Sequence, residues 1–268
     1  MKFQNQILTL FLASFLMGCG MSAEPPFVDE EETEKPLDLT ILDKCEPGAY
    51  LQRWQTPTGE QLELAVEIPK NYSDAVPSPL VVVLHYGVTD ESKPLGKIVI
   101  DELVKPAAGT LSPILLAPRL INQSWLDPAC SSAVVALVEK FMATYNIDRQ
   151  SVLIVGYGIG ATGVWQFVNE HPNLFQAGIA VAGSFPDAAK GMKTEATILA
   201  IHSKNDQLFP YSSVATAVRQ LQADGNPNVE LITTDAESHY FINDFIPPLK
   251  DAFERIAADS KSPSGESP

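Results

Sequence analysis

The chain has 268 residues, of which 45% are apolar and 19% are charged, a composition that excludes disorder along its whole length. Its net charge of −15 excludes a nucleic-acid partner held through phosphate contacts, because that mode of binding needs a basic surface. Three Cys and four His are too few for a disulfide-dense scaffold or a metal centre built from these residues, and no metal site or cofactor is predicted.

Residues 1–18 are predicted to be a lipoprotein signal peptide. The apolar run from Ile7 to Met17 is shorter than the roughly 20 residues that a membrane-spanning helix needs, and it has the length of a signal-peptide core. Leu16-Met17-Gly18-Cys19 is similar to a bacterial lipobox, in which the Cys is lipidated and becomes the mature N-terminus. We therefore expect an exported bacterial lipoprotein, held to a membrane of the cell envelope through Cys19. The alternative is an ordinary secretory signal with an incidental Cys.

Residues 19–44 are predicted to be the lipidated Cys and an acidic, disordered tether, since this Pro- and Glu-rich stretch repels itself and buries little apolar area. Gly20 lacks the Asp that retains some lipoproteins at the inner membrane, which favours the outer membrane or the periplasmic face. A disordered tail is predicted for residues 259–268, so that residues 45–258 form one domain.

From Tyr50 onward, strands and helices alternate. Runs rich in β-branched and apolar residues predict strands at Tyr50–Gln55, Gln61–Pro69, Leu80–His85, Ser112–Ala117, Val152–Val155, Ala177–Ala182, Thr197–Ile201 and Glu230–Thr233. Apolar residues at helical spacing predict helices at Ser131–Tyr145, Ala161–Asn169, Tyr211–Ala223 and Phe241–Ala257. This alternation predicts an α/β fold with a mostly parallel central sheet and helices on both faces.

In such a sheet, functional residues follow the carboxyl ends of the strands. The turn centred on Gly158 joins a buried strand to a helix, which is the context of the G-x-S-x-G nucleophile elbow. Asp206 follows a later strand and His239 follows the last one, so elbow, Asp and His come in the order found in α/β-hydrolases. The segment His85-Tyr86-Gly87 follows Leu80–Leu84, where these enzymes place an oxyanion-hole loop.

On these residues, the chain resembles α/β-hydrolases of the phospholipase/carboxylesterase and polyhydroxybutyrate-depolymerase-like esterase branch, including predicted peptidases. The resemblance covers about residues 48–257. Three further segments are similar to the family's S/A-W-F-D, Y-x-I-D-x-x-R-V and Y-P-D-x-F motifs, namely 123–127, 145–152 and 171–175. The α/β-hydrolase fold is what this resemblance implies.

The resemblance also implies roles for individual residues. Asp206 and His239 stand at the family's catalytic acid and base, and Gly158 stands where the family has its nucleophilic Ser. The amides of Ile159 and Gly87 correspond to the family's oxyanion hole. Pocket candidates are His85, Tyr86, Tyr157 and Trp125, where Tyr86 replaces the usual Gly and Tyr157 lies on the strand side of the turn.

Gly158 has no side chain, so no acyl-enzyme can form at this position. Ser184, Ser203 and Ser238 follow other strands, and none of them has the elbow context that presents a nucleophile. Structural alternatives stand beside the catalytic ones: Asp206 as a helix-capping carboxylate and His239 as a surface loop residue.

Three hypotheses of function follow. The first is a lipid-anchored, non-catalytic or catalytically impaired member of a serine-hydrolase family that either binds a small ester or peptide-like ligand in the family's pocket or does not use this pocket. The second is an active esterase or peptidase that uses water activated by His239 and Asp206, or another serine. The third is a structural lipoprotein in which the fold serves as a spacer. The sequence does not identify a protein partner.

Cys45 and Cys130 leave one further alternative open. Export places both in a compartment where disulfides persist. One bridge between them and two unbridged thiols are both compatible with the sequence.

Overall fold

A computed structural model describes residues 44–87 and 93–259 of the protein. Eight strands of this described part form one sheet in the order β1-β2-β4-β3-β5-β6-β7-β8. They are β1 (Gly48–Gln55), β2 (Gln61–Ile68), β3 (Ser78–Leu84), β4 (Ile114–Pro118), β5 (Ile147–Tyr157), β6 (Ala177–Val181), β7 (Thr197–Ser203) and β8 (Val229–Thr234). β2 pairs antiparallel with β1 and β4, and the remaining pairs are parallel.

Helices cover both faces of this sheet. They are α1 (Leu95–Val99), α2 (Lys105–Ala108), α3 (Pro128–Thr144), α4 (Ile159–Glu170), α5 (Tyr211–Ala223) and α6 (Ile246–Asp259). β3 shows how the core divides: Leu80, Val82 and Leu84 pack on the side of α3, α4 and α5, while Val81 and Val83 pack on the side of α1, α2 and α6. Because successive strand residues point to opposite faces, a strand buried on both faces needs an unbroken apolar run.

The predicted α/β fold and its mostly parallel sheet are confirmed. Every predicted strand and helix is present, the helix Tyr211–Ala223 with the predicted bounds and the others with shifted ends. The last helix begins at Ile246 instead of Phe241, after a 3-10 turn over Ile242–Phe245. Pro247 and Pro248 explain the shift, because Pro lacks an N–H and fits an α-helix only in its first turn.

A helical segment between β3 and β4 was not predicted from the sequence. It runs through α1, a π-helical turn at Ile100–Val104, α2 and a 3-10 turn at Gly109–Leu111. Pro106 and the π-turn interrupt the 3.6-residue period, which hides the segment from a search for regular helices.

Several predictions lie outside the described residues. These are the signal peptide 1–18, lipidation at Cys19, nearly all of the tether 19–44 and nearly all of the tail 259–268. Within residues 44–87 and 93–259, no helix is both long enough and apolar enough to cross a membrane.

Candidate active site

The predicted elbow lies between β5 and α4. Gly158 is the residue between them, with φ 61° and ψ −122°, a backbone conformation that side-chain-bearing residues rarely adopt. Its N–H donates to the carbonyl of Val181 on β6 at 3.0 Å, and its carbonyl accepts from the N–H of Ala161 at 3.1 Å. The turn is thus held by the neighbouring strand and by the first turn of the helix.

The flanking glycines let three backbone segments approach one another closely. A Cβ atom at Gly156 would lie 2.1 Å from the carbonyl oxygen of Gly160, and one at Gly160 would lie 2.0 Å from that of Leu84. These separations are far below van der Waals contact. Glycine is therefore required at both positions to seat α4 against β3 and β5, whatever residue stands at the elbow.

Asp206 and His239 are joined by a hydrogen bond. The imidazole Nδ1 lies 2.9 Å from Asp206 Oδ2, and the Asp206 side chain is fully buried. The other carboxylate oxygen, Oδ1, accepts the N–H groups of Leu208 and Phe209, both at 2.8 Å. Because a carboxylate accepts hydrogen bonds, Nδ1 carries the proton.

The edge of the His239 ring that carries Nε2 points at the elbow. A Cβ atom built on Gly158 would lie 3.7 Å from His239 Nε2 and 3.9 Å from Cε1. A side chain at residue 158 would therefore meet the imidazole at Nε2. The structure brings together three residues that sequence reasoning placed at one site: Gly158, Asp206 and His239.

Two residues hold the backbone of His239 from opposite sides. Gln207 Oε1 accepts the N–H of His239 at 3.1 Å and the hydroxyl of Ser238 at 3.0 Å. The Tyr157 hydroxyl donates to the carbonyl of His239, and the two rings stack with centroids 5.4 Å apart. Burial raises the pKa of Tyr157 well above its usual range, so it remains a donor. Sequence reasoning missed Gln207, since a Gln after the acid carries no pattern of its own.

Tyr86 closes over the elbow. Its Cβ lies 3.2 Å from the position of a Cβ at residue 158, and its ring meets that of Tyr157 edge-to-face at 5.6 Å. Gly87, with φ 67°, follows Tyr86 at the end of the described segment. Ile159 is the first residue of α4, so its N–H is one of the helix amides that have no intrahelical acceptor.

His85 and Trp125, which the sequence predicts to line a pocket, are hydrogen-bonded to the backbone of neighbouring loops. His85 Nδ1 donates to the carbonyl of Tyr86 at 3.0 Å, and its Nε2 accepts the N–H of Leu120 at 3.2 Å. Trp125 donates from Nε1 to the carbonyl of His85 at 2.9 Å, and both side chains are buried. Burial also lowers the pKa of His85, which keeps it neutral. These two residues hold the loop after β3 in place.

Ser184, Ser203 and Ser238, the serines considered as substitutes for the missing nucleophile, each form a hydrogen bond with a residue other than His239. Ser203 Oγ donates to the carbonyl of Ala236 at 2.6 Å, and Ser238 Oγ donates to Gln207. Ser184 Oγ pairs with Thr162 Oγ1 at 2.9 Å. In the part of the chain that the structure describes, none of the three is hydrogen-bonded to His239.

The two described cysteines are thiols and do not form the disulfide considered above. Cys45 Sγ accepts a hydrogen bond from Gln52 Nε2 at 2.9 Å. Cys130 is buried on α3, and its burial raises the pKa of the thiol to about 11. Among residues 44–87 and 93–259, no cluster of three or more His, Cys, Asp or Glu side chains could hold a metal ion.

The sheet order, with an elbow after β5, an acid after β7 and a His after β8, is that of the α/β-hydrolase fold. Residues 120–260, more than half of the chain, match the dienelactone hydrolase family. The chain therefore belongs to the dienelactone hydrolase family. The predicted α/β-hydrolase superfamily is confirmed, although the matching family differs from the esterase branch named from the sequence.

Solved structures of esterases and hydrolases share the fold. A thermostable esterase is 21% identical with a TM-score of 0.63, and the match covers 78% of this chain and 62% of the esterase. XC6422 from Xanthomonas campestris, an α/β serine hydrolase without a lid, is 16% identical with a TM-score of 0.59 over 85% of this chain and all of that one. Est2 from Thermogutta terrifontis, a thermophilic esterase, is 13% identical with a TM-score of 0.62 over 82% and 96% of the two chains. No curated protein sequence matches this chain significantly.

Proposed function

We propose that this protein is a lipid-anchored member of the dienelactone hydrolase family whose covalent hydrolytic chemistry is lost or strongly impaired. In this proposal, the site formed by Gly158, Asp206 and His239 binds a small ester or peptide-like ligand. The observation that carries the proposal is Gly158 at the nucleophile position. Removing the nucleophile from a triad can cost on the order of 10⁶ in turnover, with about 10³–10⁴ over water left from the remaining site.

The geometry around Gly158 supports its assignment as the nucleophile position. Its strained turn, its place between β5 and α4 and the 3.7 Å from a Cβ there to His239 Nε2 all fit a residue whose hydroxyl would bond to the His. The engaged hydroxyls of Ser184, Ser203 and Ser238 argue against a substitute serine nearby.

A fluorophosphonate probe tests this proposal directly, because such probes react only with an activated serine. We expect no labelling of the wild-type protein by intact-mass measurement, with an active serine hydrolase labelled in parallel. Stoichiometric labelling would contradict the proposal, and peptide mapping would identify the serine responsible.

One observation favours a second candidate function. The Asp206–His239 pair is retained, and His239 Nε2 faces the space beyond Gly158, where a water molecule can lie. General-base activation of water typically contributes 10²–10⁴-fold, enough for slow hydrolysis of a reactive ester. If this function is real, p-nitrophenyl acetate hydrolysis falls at least 10²-fold in His239→Ala. Equal rates for the two proteins would dismiss it.

The membrane anchor is proposed from the segment Leu16-Met17-Gly18-Cys19. Radiolabelled palmitate should label the wild-type protein and not Cys19→Ser. Fractionation should then place the wild type in the cell envelope, with the outer membrane or the periplasmic face favoured. Equal labelling of both proteins would overturn the anchor without affecting the proposal for the active site.

A further inference from the structure

Cys45 lies just before β1, at the end of the sheet opposite the candidate active site. Its backbone N–H contacts Tyr145, which precedes β5, whereas Gly158 follows the same strand. The Cys45 side chain is half-buried and packs against the core, while Cys130 is completely buried. Of the two described cysteines, Cys45 is therefore the one that a small molecule can reach.

Two hydrogen-bond donors contact the Cys45 thiol. Gln52 Nε2 donates to Sγ at 2.9 Å, and the Tyr145 hydroxyl is hydrogen-bonded to the same side chain. Burial raises the pKa of Tyr145 to about 12, so this hydroxyl keeps its proton. The backbone N–H of Cys45 donates to the Tyr145 oxygen at 2.8 Å, which fixes the position of the residue. Because the thiolate is the reacting form of cysteine and donors stabilise its charge, these contacts favour reaction at Sγ.

The Gln52 amide also carries an acceptor without a partner. Gln52 is only 7% exposed, and within the described residues its buried Oε1 has no hydrogen bond. Nε2 and Oε1 belong to one planar amide, so Oε1 lies beside the thiol that Nε2 contacts. Buried polar atoms are nearly always satisfied, and this oxygen therefore indicates a donor on a group held at Cys45.

We propose that Cys45 is a modification site that holds a small aminothiol in a mixed disulfide. The nitrogen of this thiol, two carbons away from its sulfur, donates an N–H to Gln52 Oε1. A half-buried thiol favours such a small partner over a second protein chain. The site is separate from Gly158, Asp206 and His239, and it does not depend on the function proposed for them.

The modification is an exchange with a low-molecular-weight disulfide. The Cys45 thiolate attacks one sulfur of this disulfide, the bond between its two sulfurs breaks, and a new bond joins the attacked sulfur to Cys45 Sγ. The other half leaves as a thiolate and takes up the proton that Cys45 released. Cys45 is oxidised to the mixed disulfide and half of the small disulfide is reduced to a thiol, so no other oxidant is needed.

Exchange rates of the full-length protein with two small disulfides test the inference. Cystamine carries an ammonium group two carbons from each sulfur, and dimethyl disulfide carries no donor. Peptide mass mapping after quenching measures the rate at Cys45 separately from Cys19 and Cys130, and the urea-unfolded protein gives the intrinsic rates. We expect the preference of Cys45 for cystamine to be at least about tenfold larger in the folded protein than in the unfolded one. Equal preferences in the two states would overturn the inference.

Cys130 is an internal control for access to the thiol. It is buried, and burial raises its pKa to about 11, so in the folded protein it should react at least about tenfold more slowly than Cys45. Faster modification of Cys130 than of Cys45 would overturn the inference.

Variants of two glutamines on β1 test the role of Oε1. Gln52→Leu removes the acceptor and should reduce the preference for cystamine to that of the unfolded protein. Attraction of the cation to the neighbouring Glu46, or to the net charge of −15, would survive this substitution, so a retained preference would overturn the inference. Gln55→Leu is the matched control, because Gln55 is exposed on the same strand and donates to the carbonyl of Gly59. Its preference should equal that of wild type, and an equal loss in both variants would overturn the assignment to Oε1.

A non-reducing gel separates the small-thiol adduct from a disulfide between two chains. We expect the cystamine-treated protein to remain a monomer with one aminothiol at Cys45. A dimer linked through Cys45 as the main product would overturn the inference. The comparison of folded and unfolded wild type does not depend on whether any variant folds.

Discussion

At the scale of single residues, Gly158 and Tyr86 are neighbours. In the proposed assignment, Gly158 stands where the resembled family has its nucleophilic Ser, and Tyr86 stands where that family has a Gly in the loop after β3. The Cβ of Tyr86 lies 3.2 Å from where a Cβ at residue 158 would be, which is tighter than ordinary contact. Glycine at residue 158 therefore leaves room for Tyr86, while a side chain at residue 158 would require Tyr86 to shift by a few tenths of an ångström.

Gly158→Ser should create measurable esterase activity at a cost in stability. The new hydroxyl would lie close to His239 Nε2, and the strained backbone conformation should lower the free energy of unfolding by about 1–3 kcal/mol. Gly158→Ala is the matched control, because it adds the same Cβ without a hydroxyl and should show the same loss without activity. Urea unfolding and p-nitrophenyl acetate hydrolysis measure the two effects.

Tyr86→Gly in the Gly158→Ser background removes the crowded Cβ and should raise the activity further. If a folded double variant neither hydrolyses the ester nor reacts with fluorophosphonate, then His239 and Asp206 are not placed as a triad, and the assignment of the pocket fails.

Asp206→Asn should reverse the tautomer of His239. The two backbone N–H groups of Leu208 and Phe209 fix the amide oxygen of the new Asn at the Oδ1 position. Its NH₂ group then faces His239 Nδ1, which must accept a hydrogen bond, so the ring proton moves to Nε2. Nitrogen-15 NMR of the imidazole reports the tautomer, and an unchanged Nδ1–H form in the variant would refute this arrangement.

At the scale of elements, the elbow region contains both features that could be predicted from the sequence and features that could not. Strand, turn, helix and the following acid and His were predicted because each has a local signal, such as glycine spacing or an apolar run. The hydrogen bonds that hold His239 in place were not predicted. Tyr157 lies 82 positions and Gln207 lies 32 positions from His239 along the chain, and no local sequence pattern encodes contacts over such separations.

Gly160→Ala should be far more damaging than its size suggests. The added Cβ would lie 2.0 Å from the backbone carbonyl of Leu84, so β3 and α4 would have to separate. We expect a loss of more than about 4 kcal/mol or no folded protein. Gly191→Ala is the control: it has φ 73° and no atom within 4 Å of the new Cβ, so it should cost only about 1–2 kcal/mol. Similar losses in the two variants would contradict this account of the elbow.

At the scale of the whole molecule, the sheet keeps two histidines neutral in its interior. His85 follows β3 and His202 lies on β7, with exposures of 3% and 1%. Burial lowers the pKa of both, although the Asp206 carboxylate opposes the shift at His202. The carboxylates with lowered pKa values, such as Glu63 and Asp74, titrate below their ordinary values near 4, so they do not contribute between pH 5 and 7.

The protein should therefore lose stability as the pH falls from 7 to 5. Below the ordinary His pKa of about 6.5, the unfolded chain binds protons at both positions while the folded protein resists them, so the free energy of unfolding decreases by up to about 1.4 kcal/mol per pH unit for each His. His85→Gln should reduce this slope by about one proton, because the Nε2 that accepts the Leu120 N–H is then replaced by a group that does not titrate. Urea unfolding at pH 7, 6 and 5 measures the slope. A wild-type stability independent of pH in this interval, or an identical slope in the variant, would show that these histidines are not held neutral by the fold.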